Sequence, residues 1–134
     1  MIVPELICSD LDRSVAFYSA LGFRMAYARA GERFVMLERD AGSARLMLEE
    51  SAPGDRLFPR APLEHPYGRG VNLEIEVDDI DALSLLCPDP LLPLEERLYA
   101  RESDEVHVRQ FAIADPDGYV LRFSQTLGTR PLRG

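Results

Sequence analysis

The sequence predicts an α+β protein in which two βαβββ modules form curved mixed sheets around a cleft. Two observations carry this prediction. The order strand, helix, three strands occurs twice, and the two strand-to-helix junctions, "CSDLDRSV" and "VDDIDALS", correspond to each other. An internal duplication of this kind is a fold-level signal. Because one helix covers only one face of each sheet, the open faces are expected to border the cleft.

The first module, about residues 1–50, begins with the strand-like run "PELICSD". Ser9 or Asp10 is placed to cap the helix in "LDRSVAFYSALGF", whose apolar residues recur at helical spacing and which ends near Gly22. Three strands are predicted next, in "FRMAYARA", "RFVMLERD" and "ARLMLEE", with hairpin turns at "GE" and "AGS" between them.

Residues 51–70, "SAPGDRLFPRAPLEHPYGRG", show no periodicity and are predicted to be a linker or a functional loop, because so long an irregular stretch is unusual in a compact domain. The second module, about residues 71–127, repeats the order. It has a strand in "VNLEIEVDD", a short helix in "DDIDALSLLC" and strands in "LEERLYARE", "HVRQFAIAD" and "YVLRFSQ". The whole chain, residues 1–134, is therefore predicted to be one domain.

The charge balance narrows the classes of partner. With 15 basic and 23 acidic residues the net charge is −8, which disfavours a nucleic-acid binder and weakly favours cationic small molecules. The two cysteines, Cys8 and Cys87, are too few for a disulfide scaffold. No apolar stretch approaches 18 residues and no leader pattern is present, so a cytoplasmic protein without membrane contact is expected.

Strand alternation predicts which side chains face the cleft. In "DPDGYVLRF", residues 115–123, a turn precedes a strand that places Arg122 on the face opposite Leu121 and Phe123. An apolar cleft with a few carboxylates and one guanidinium is typical of a ligand site. The predicted ligand-binding residues are Glu5, Phe34, Met36, Asn72, Glu74, Tyr99, Phe111 and Arg122. The aromatic residues and Met36 are also typical of a core.

Other catalytic chemistry is not indicated. There is no nucleophile elbow or phosphate-binding glycine loop, and neither His65 nor His107 has a partner at metal-ligand spacing. Glu5 is either a general base or the partner of Arg122 in an ion pair, and the ion pair is the preferred interpretation.

The duplicated order, the junctions "SDLDRSVAFYSALGF" and "VDDIDAL", and the ending "DPDGYVLRF" resemble the vicinal oxygen chelate superfamily, and within it the glyoxalase/bleomycin-resistance group. The resemblance covers residues 4–127 and implies a glyoxalase-like fold. Enzymes of the superfamily hold a divalent metal at three strand positions, which correspond here to Val3, Asn72 and Arg122. Because valine has no donor and a guanidinium stays charged, we expect no metal site, no cofactor and no catalytic residue.

The resemblance therefore implies a metal-independent small-molecule binding protein of the bleomycin-resistance type. Such proteins sequester a cationic glycopeptide antibiotic in a cleft shared by two subunits. This chain has no tryptophan to stack on the drug. Leu98 stands near that place, so stacking falls to Tyr99 or Phe34. A homodimer is expected, and the choice between swapped and unswapped forms stays open.

Three alternatives stay open. The first is a metal-dependent lyase, isomerase or dioxygenase of the same fold, with a rearranged site that uses Glu5, Glu74 or His65. The second is an interaction module whose cleft is filled by its own side chains. The third keeps the binding function but changes the ligand, which is then another amphipathic cation or an anion held by Arg122.

Overall fold

The computed structural model describes residues 1–52 and 56–132, so part of the predicted linker and the last two residues of the predicted domain lie outside the described residues. The chain divides into two compact units. The first unit is Met1–Tyr67 with Asp115–Gly118, and the second is Gly68–Ala114 with Tyr119–Gly134. That the modules form one domain stays a prediction from the sequence.

The first unit contains one βαβββ module. Its elements are β1 (Glu5–Cys8), α1 (Leu11–Ala20), β2 (Arg24–Arg29), β3 (Phe34–Arg39) and β4 (Ala44–Glu50). The strands lie in the order β1-β4-β3-β2, with β1 parallel to β4 and the other neighbours antiparallel. Helix α1 begins after Asp10 because the Asp10 side chain accepts a hydrogen bond from the Arg13 backbone N–H at 3.1 Å.

The second unit repeats this arrangement. Its elements are β5 (Asn72–Glu76), α2 (Ile80–Ser84), β6 (Leu92–Ala100), β7 (Asp104–Ala114) and β8 (Val120–Pro131). The order is β5-β8-β7-β6, with β5 parallel to β8. Asp79 caps α2 by accepting a hydrogen bond from the Ala82 N–H at 3.1 Å. The predicted α+β class and the βαβββ order of both modules are confirmed.

In each unit the helix covers one apolar face of the sheet. In the first unit Leu6, Leu48 and Val35 are in-register neighbours on three strands, and all three are buried. In the second unit Phe111 and Phe123 pair across β7 and β8 with ring centroids 5.5 Å apart. The opposite face of each sheet is not covered by the helix of its own unit. Among the described residues, no helix is both long and apolar enough to cross a membrane.

Candidate functional site

The face of the second sheet turned away from α2 carries polar side chains from all four strands. Strand register brings them together, since Glu74 pairs with Arg122, Gln110 with Ser124, and Glu95 with Gln110. We call this group the Arg122 cluster. It consists of Asn72, Glu74, Glu95, Tyr99, Gln110, Arg122 and Ser124. Residues that point to one face of adjacent strands lie within reach of one another.

The Arg122 guanidinium is held on three sides. Its Nη2 forms an ion pair with Glu74 Oε2 at 2.7 Å and its Nη1 donates to Gln110 Oε1 at 3.1 Å. Its Nε donates to Asn72 Oδ1 at 3.3 Å. The side chain is 31% exposed, so one edge of the guanidinium stays accessible. Three of its five N–H donors are used within the protein, which leaves donors for a ligand.

Gln110 joins Arg122 to the edge of the sheet. It is 3% exposed, and its amide Nε2 donates to Glu95 Oε1 at 3.0 Å and to the Tyr99 hydroxyl at 2.6 Å. Its Oε1 accepts from Arg122, so one amide orientation satisfies all three contacts. The Tyr99 ring is thereby anchored at its hydroxyl while the residue remains 42% exposed.

Four of the predicted ligand-binding residues meet in this cluster: Asn72, Glu74, Tyr99 and Arg122. Strand alternation also predicts Ser124 on the cleft face beside Arg122, although it is not among the predicted ligand-binding residues, whereas sequence reasoning missed Gln110 and Glu95. Alternation within "HVRQFAIAD" separates Gln110 from Phe111, but only the register between β7 and β8 shows that Gln110 shares a face with Arg122.

The structure places Phe111 elsewhere, contrary to its prediction as a ligand-binding residue. Its ring stacks on Phe123 on the face that α2 covers, and the residue is 1% exposed. The physical reason is register. Phe111 pairs with Phe123, and successive residues of a strand point to opposite faces, so Phe111 and Arg122 lie on opposite sides of the sheet.

The other three predicted residues belong to the first unit. Glu5 and Met36 are both in register with Met47, on the face turned away from α1. Phe34 lies on the same face, with the guanidinium carbon of Arg29 3.9 Å from its ring centre. Phe34 and Met36 are buried. Glu5 is exposed and has no ion-pair partner among the described residues, so its predicted pairing with Arg122 stays a prediction.

The residues at the positions that the resemblance assigns to a metal do not fit one. Val3 has no donor atom, and the Asn72 side-chain oxygen already accepts from Arg122. Arg122 brings a fixed positive charge, which repels a cation. Across residues 1–52 and 56–132, no group of three or more His, Cys, Asp or Glu side chains is arranged to hold a metal ion.

A cavity of about 580 Å³ lies beside Tyr99 at the β6 edge. Its lining residues are Glu96, Arg97, Leu98, Tyr99 and His107. His107 Nε2 is 3.2 Å from Glu96 Oε2, so the one histidine of β7 is engaged with a carboxylate on the neighbouring strand. Of the Arg122 cluster, Tyr99 lines this cavity.

Comparison with known proteins gives a consistent family. The family described as Bleomycin resistance protein-like N-terminal matches residues 2–39. A glyoxalase/bleomycin resistance protein/dioxygenase superfamily member from Vibrio splendidus 12B01 is 33% identical in sequence over 92% of this chain and 95% of its own. Its TM-score is 0.42, and the shared fold is instead seen in two other structures. None of the curated proteins matches this sequence.

Two solved structures share the fold over nearly the whole chain. TioX from Micromonospora sp. ML1 has a TM-score of 0.69 and 21% identity, over 94% of this chain and 98% of its own. A bleomycin-binding protein complexed with bleomycin has a TM-score of 0.58 and 22% identity, over 93% of this chain and 97% of its own. At this identity the likeness shows the fold alone.

Proposed function

We propose a function within the family to which this chain belongs, the glyoxalase/bleomycin-resistance group of the vicinal oxygen chelate superfamily. Within that group we propose a metal-independent binding protein that sequesters a small molecule, with antibiotics of the bleomycin type as the first class to test. A fold of this kind hosts several chemistries, so the function is argued from the site.

The observation that carries the proposal is the state of Arg122. This residue stands where the resemblance assigns a metal ligand, and its guanidinium is held by Glu74, Asn72 and Gln110. A guanidinium stays protonated at any physiological pH, so it supplies directed hydrogen-bond donors in place of a Lewis acid. The cluster contains no activated nucleophile. Its groups orient a bound molecule and do not react with it.

The charges of this surface favour a ligand that carries both a cationic group, for the exposed carboxylate, and hydrogen-bond acceptors, for the remaining donors of Arg122. The Glu74 carboxylate is offset by Arg122, whereas Glu76 is exposed at the end of β5 with no ion-pair partner among the residues that the structure describes. The net charge of −8 adds a field that attracts cations. Tyr99 offers an aromatic surface of fixed orientation for a heteroaromatic ring, in the absence of tryptophan.

We also propose that the functional form is a homodimer in the cytoplasm, in which a second copy covers exposed strand edges. Every residue of the edge strand β2 is exposed, including Met25 at 52% and Tyr27 at 47%. Unpaired edges with apolar side chains are stabilised by an isologous partner. Light scattering at micromolar concentration tests this assembly, and a monomer there would contradict it.

Calorimetric titration of metal-stripped protein with metal-free bleomycin tests the binding function. We expect one drug molecule per subunit, and at least about tenfold weaker binding by Arg122→Met, because a charge-assisted contact is lost. Arg101→Met is the matched control, since Arg101 lies in the turn between β6 and β7, outside the Arg122 cluster, and its guanidinium pairs with Asp104. Absence of heat at tens of micromolar would remove the bleomycin assignment. A stoichiometric divalent ion in untreated protein would instead favour a metal-dependent enzyme.

A further inference from the structure

The first unit contains a cavity that shares no residue with the Arg122 cluster. It measures about 510 Å³ and lies where β1 and β4 end, next to the segment predicted as a linker or functional loop. Its apolar lining includes Ile7, Leu57, Pro59, Pro62 and Leu63. This volume is within the range of small-molecule sites, roughly 300–1,000 Å³.

The segment that forms the outer wall has an unusual backbone. Phe58 and Arg60, on either side of Pro59, have φ values of 41° and 63°. Residues other than glycine seldom adopt this left-handed region, and such strain is concentrated at binding sites and ligand clamps. The result is that the Leu57 side chain is buried, at 7% exposed, while Phe58 is 79% exposed.

Among the described residues, Glu50 is the only carboxylate that lines the cavity. Its Oε2 accepts hydrogen bonds from the Leu11 backbone N–H at 2.9 Å and from Arg33 Nη2 at 2.5 Å. Its Oε1 has no partner within residues 1–52 and 56–132. The Arg33 guanidinium and the Leu11 N–H together hold the pKa of Glu50 below its usual range, so this acceptor is ionised at neutral pH.

The other acidic group of the wall is neutral. Burial, together with the nearby carboxylates of Asp117 and Glu50, raises the pKa of the Cys8 thiol to about 12. The thiol therefore behaves as a small apolar group at neutral pH. Among its described residues the cavity thus combines apolar side chains, the hydroxyl groups of Ser9, Ser51 and Tyr67, and one ionised carboxylate.

We propose that this cavity is a separate binding site for a small apolar amine. The ammonium group donates to Glu50 Oε1, and the apolar body lies against Ile7, Leu57 and the prolines of the outer wall. An ammonium is favoured over a neutral donor because hydrogen bonds between charged groups are the stronger ones. The site does not depend on the function proposed for the second unit.

A matched indole series tests the site: tryptamine as the cation, indole-3-ethanol as the neutral analogue and indole-3-propionate as the anion. The chain has no tryptophan, so indole fluorescence can be excited selectively at the red edge of the indole band, beyond the absorption of its tyrosines. We expect tryptamine to bind about tenfold more tightly than indole-3-ethanol, and the anion to bind weakest. Equal affinities for cation and neutral analogue, or no binding at millimolar concentration, would overturn the proposal.

Two substitutions with opposite expected effects isolate the role of Glu50. Glu50→Gln keeps an acceptor for the Leu11 N–H but removes the charge, so the preference for tryptamine over indole-3-ethanol disappears. Arg33→Gln removes the internal cation and leaves the carboxylate, so tryptamine binds more tightly. An unchanged preference in both variants would show that the amine binds elsewhere.

A third variant covers the case in which Glu50→Gln fails to fold. Ala61→Leu narrows the cavity without touching Glu50, and it should weaken all three probes while leaving their order unchanged. Arg101→Met, which removes an exposed guanidinium paired with Asp104 in the second unit, is the control and should leave all three affinities as they are. Full tryptamine binding by Ala61→Leu would contradict the site.

Discussion

The two modules share strand order, yet their open faces carry different side chains at equivalent positions. Glu5 and Glu74 each lie five residues before the aspartate that caps the following helix, Asp10 or Asp79. The parallel neighbour of Glu5 is Met47, whereas that of Glu74 is Arg122. One in-register neighbour therefore decides whether the carboxylate is an exposed acceptor or half of an ion pair. This difference, together with Phe34 and Met36 at positions where the second unit has Gln110 and Ala112, leaves the polar cluster of the second unit without a counterpart in the first.

A second pair of equivalent positions differs in charge only. The Leu11 N–H at the start of α1 donates to Glu50, and the Ile80 N–H at the start of α2 donates to Gln125 Oε1 at 3.0 Å. The same backbone group is satisfied by a carboxylate in one unit and by an amide in the other. The duplication has retained the hydrogen bond, and only the first unit adds a negative charge at the strand end.

The largest expected effect tests the contrast between the core and the outer strand of the second unit. Phe123→Ala removes a fully buried ring that stacks on Phe111, and the free energy of unfolding should fall by about 3–5 kcal/mol. Chemical denaturation measures it. Leu98→Ala, at a position 47% exposed, should stay within about 0.5 kcal/mol. A loss below about 1 kcal/mol for Phe123→Ala would mean that the aromatic pair does not support the second unit.

The next effect compares equivalent turns of the two modules. The buried Asp117 carboxylate accepts from the Ser9 N–H at 3.0 Å and from the Ser9 hydroxyl, whereas Asp40 is an exposed partner of Arg39. Asp117→Asn places an amide donor against Ser9 and should destabilise the protein by about 2–3 kcal/mol. Asp40→Asn should change it by less than about 0.5 kcal/mol. Similar losses in both variants would remove the contrast.

The charge difference between Glu50, at the start of α1, and Gln125, at the start of α2, predicts that the stability of the protein depends on pH. The pKa of Glu50 is lowered in the folded state below its ordinary value of 4.5, so its contribution to stability is present above that pH. It is lost as the pH falls through the lowered value. Glu50→Gln should therefore reduce the slope of the unfolding free energy against pH in the acid range. The reduction should be at most the slope that about one bound proton produces. The exposed Glu76→Gln is the control, and an acid limb equally steep in Glu50→Gln would show that Glu50 is not coupled to folding.

The smallest expected effect comes from substituting the residues that distinguish the open faces of the two sheets. A double-mutant cycle on Arg122→Met and Glu74→Gln should give a coupling of about 0.2–1 kcal/mol, because both side chains are partly exposed. Met47→Arg should create a coupling of similar size with Glu5, measured against Glu5→Gln. Absence of coupling in the second cycle would mean that strand register alone does not produce the ion pair.

Much of the local structure could be predicted because its causes are short in sequence. The caps at Asp10 and Asp79 act on N–H groups three residues away, and alternation separates Arg122 from Phe123 within a single strand. The duplicated order of elements follows from the same local patterns. These features depend on propensity and spacing, which the sequence contains directly.

The partners of each strand were decided only by the tertiary structure. Alternation identifies the two faces of β7, but the pairing of Phe111 with Phe123, and the register shift between His107 and Val108, set which side chains meet those of β8. Gln110 is a member of the Arg122 cluster for that reason, and Phe111 is not. Likewise, the "DPDG" turn lies between two strands of the second unit but belongs to the first, where Asp117 binds Ser9. Such contacts join residues far apart in the chain, and a one-residue change in register would reverse every face.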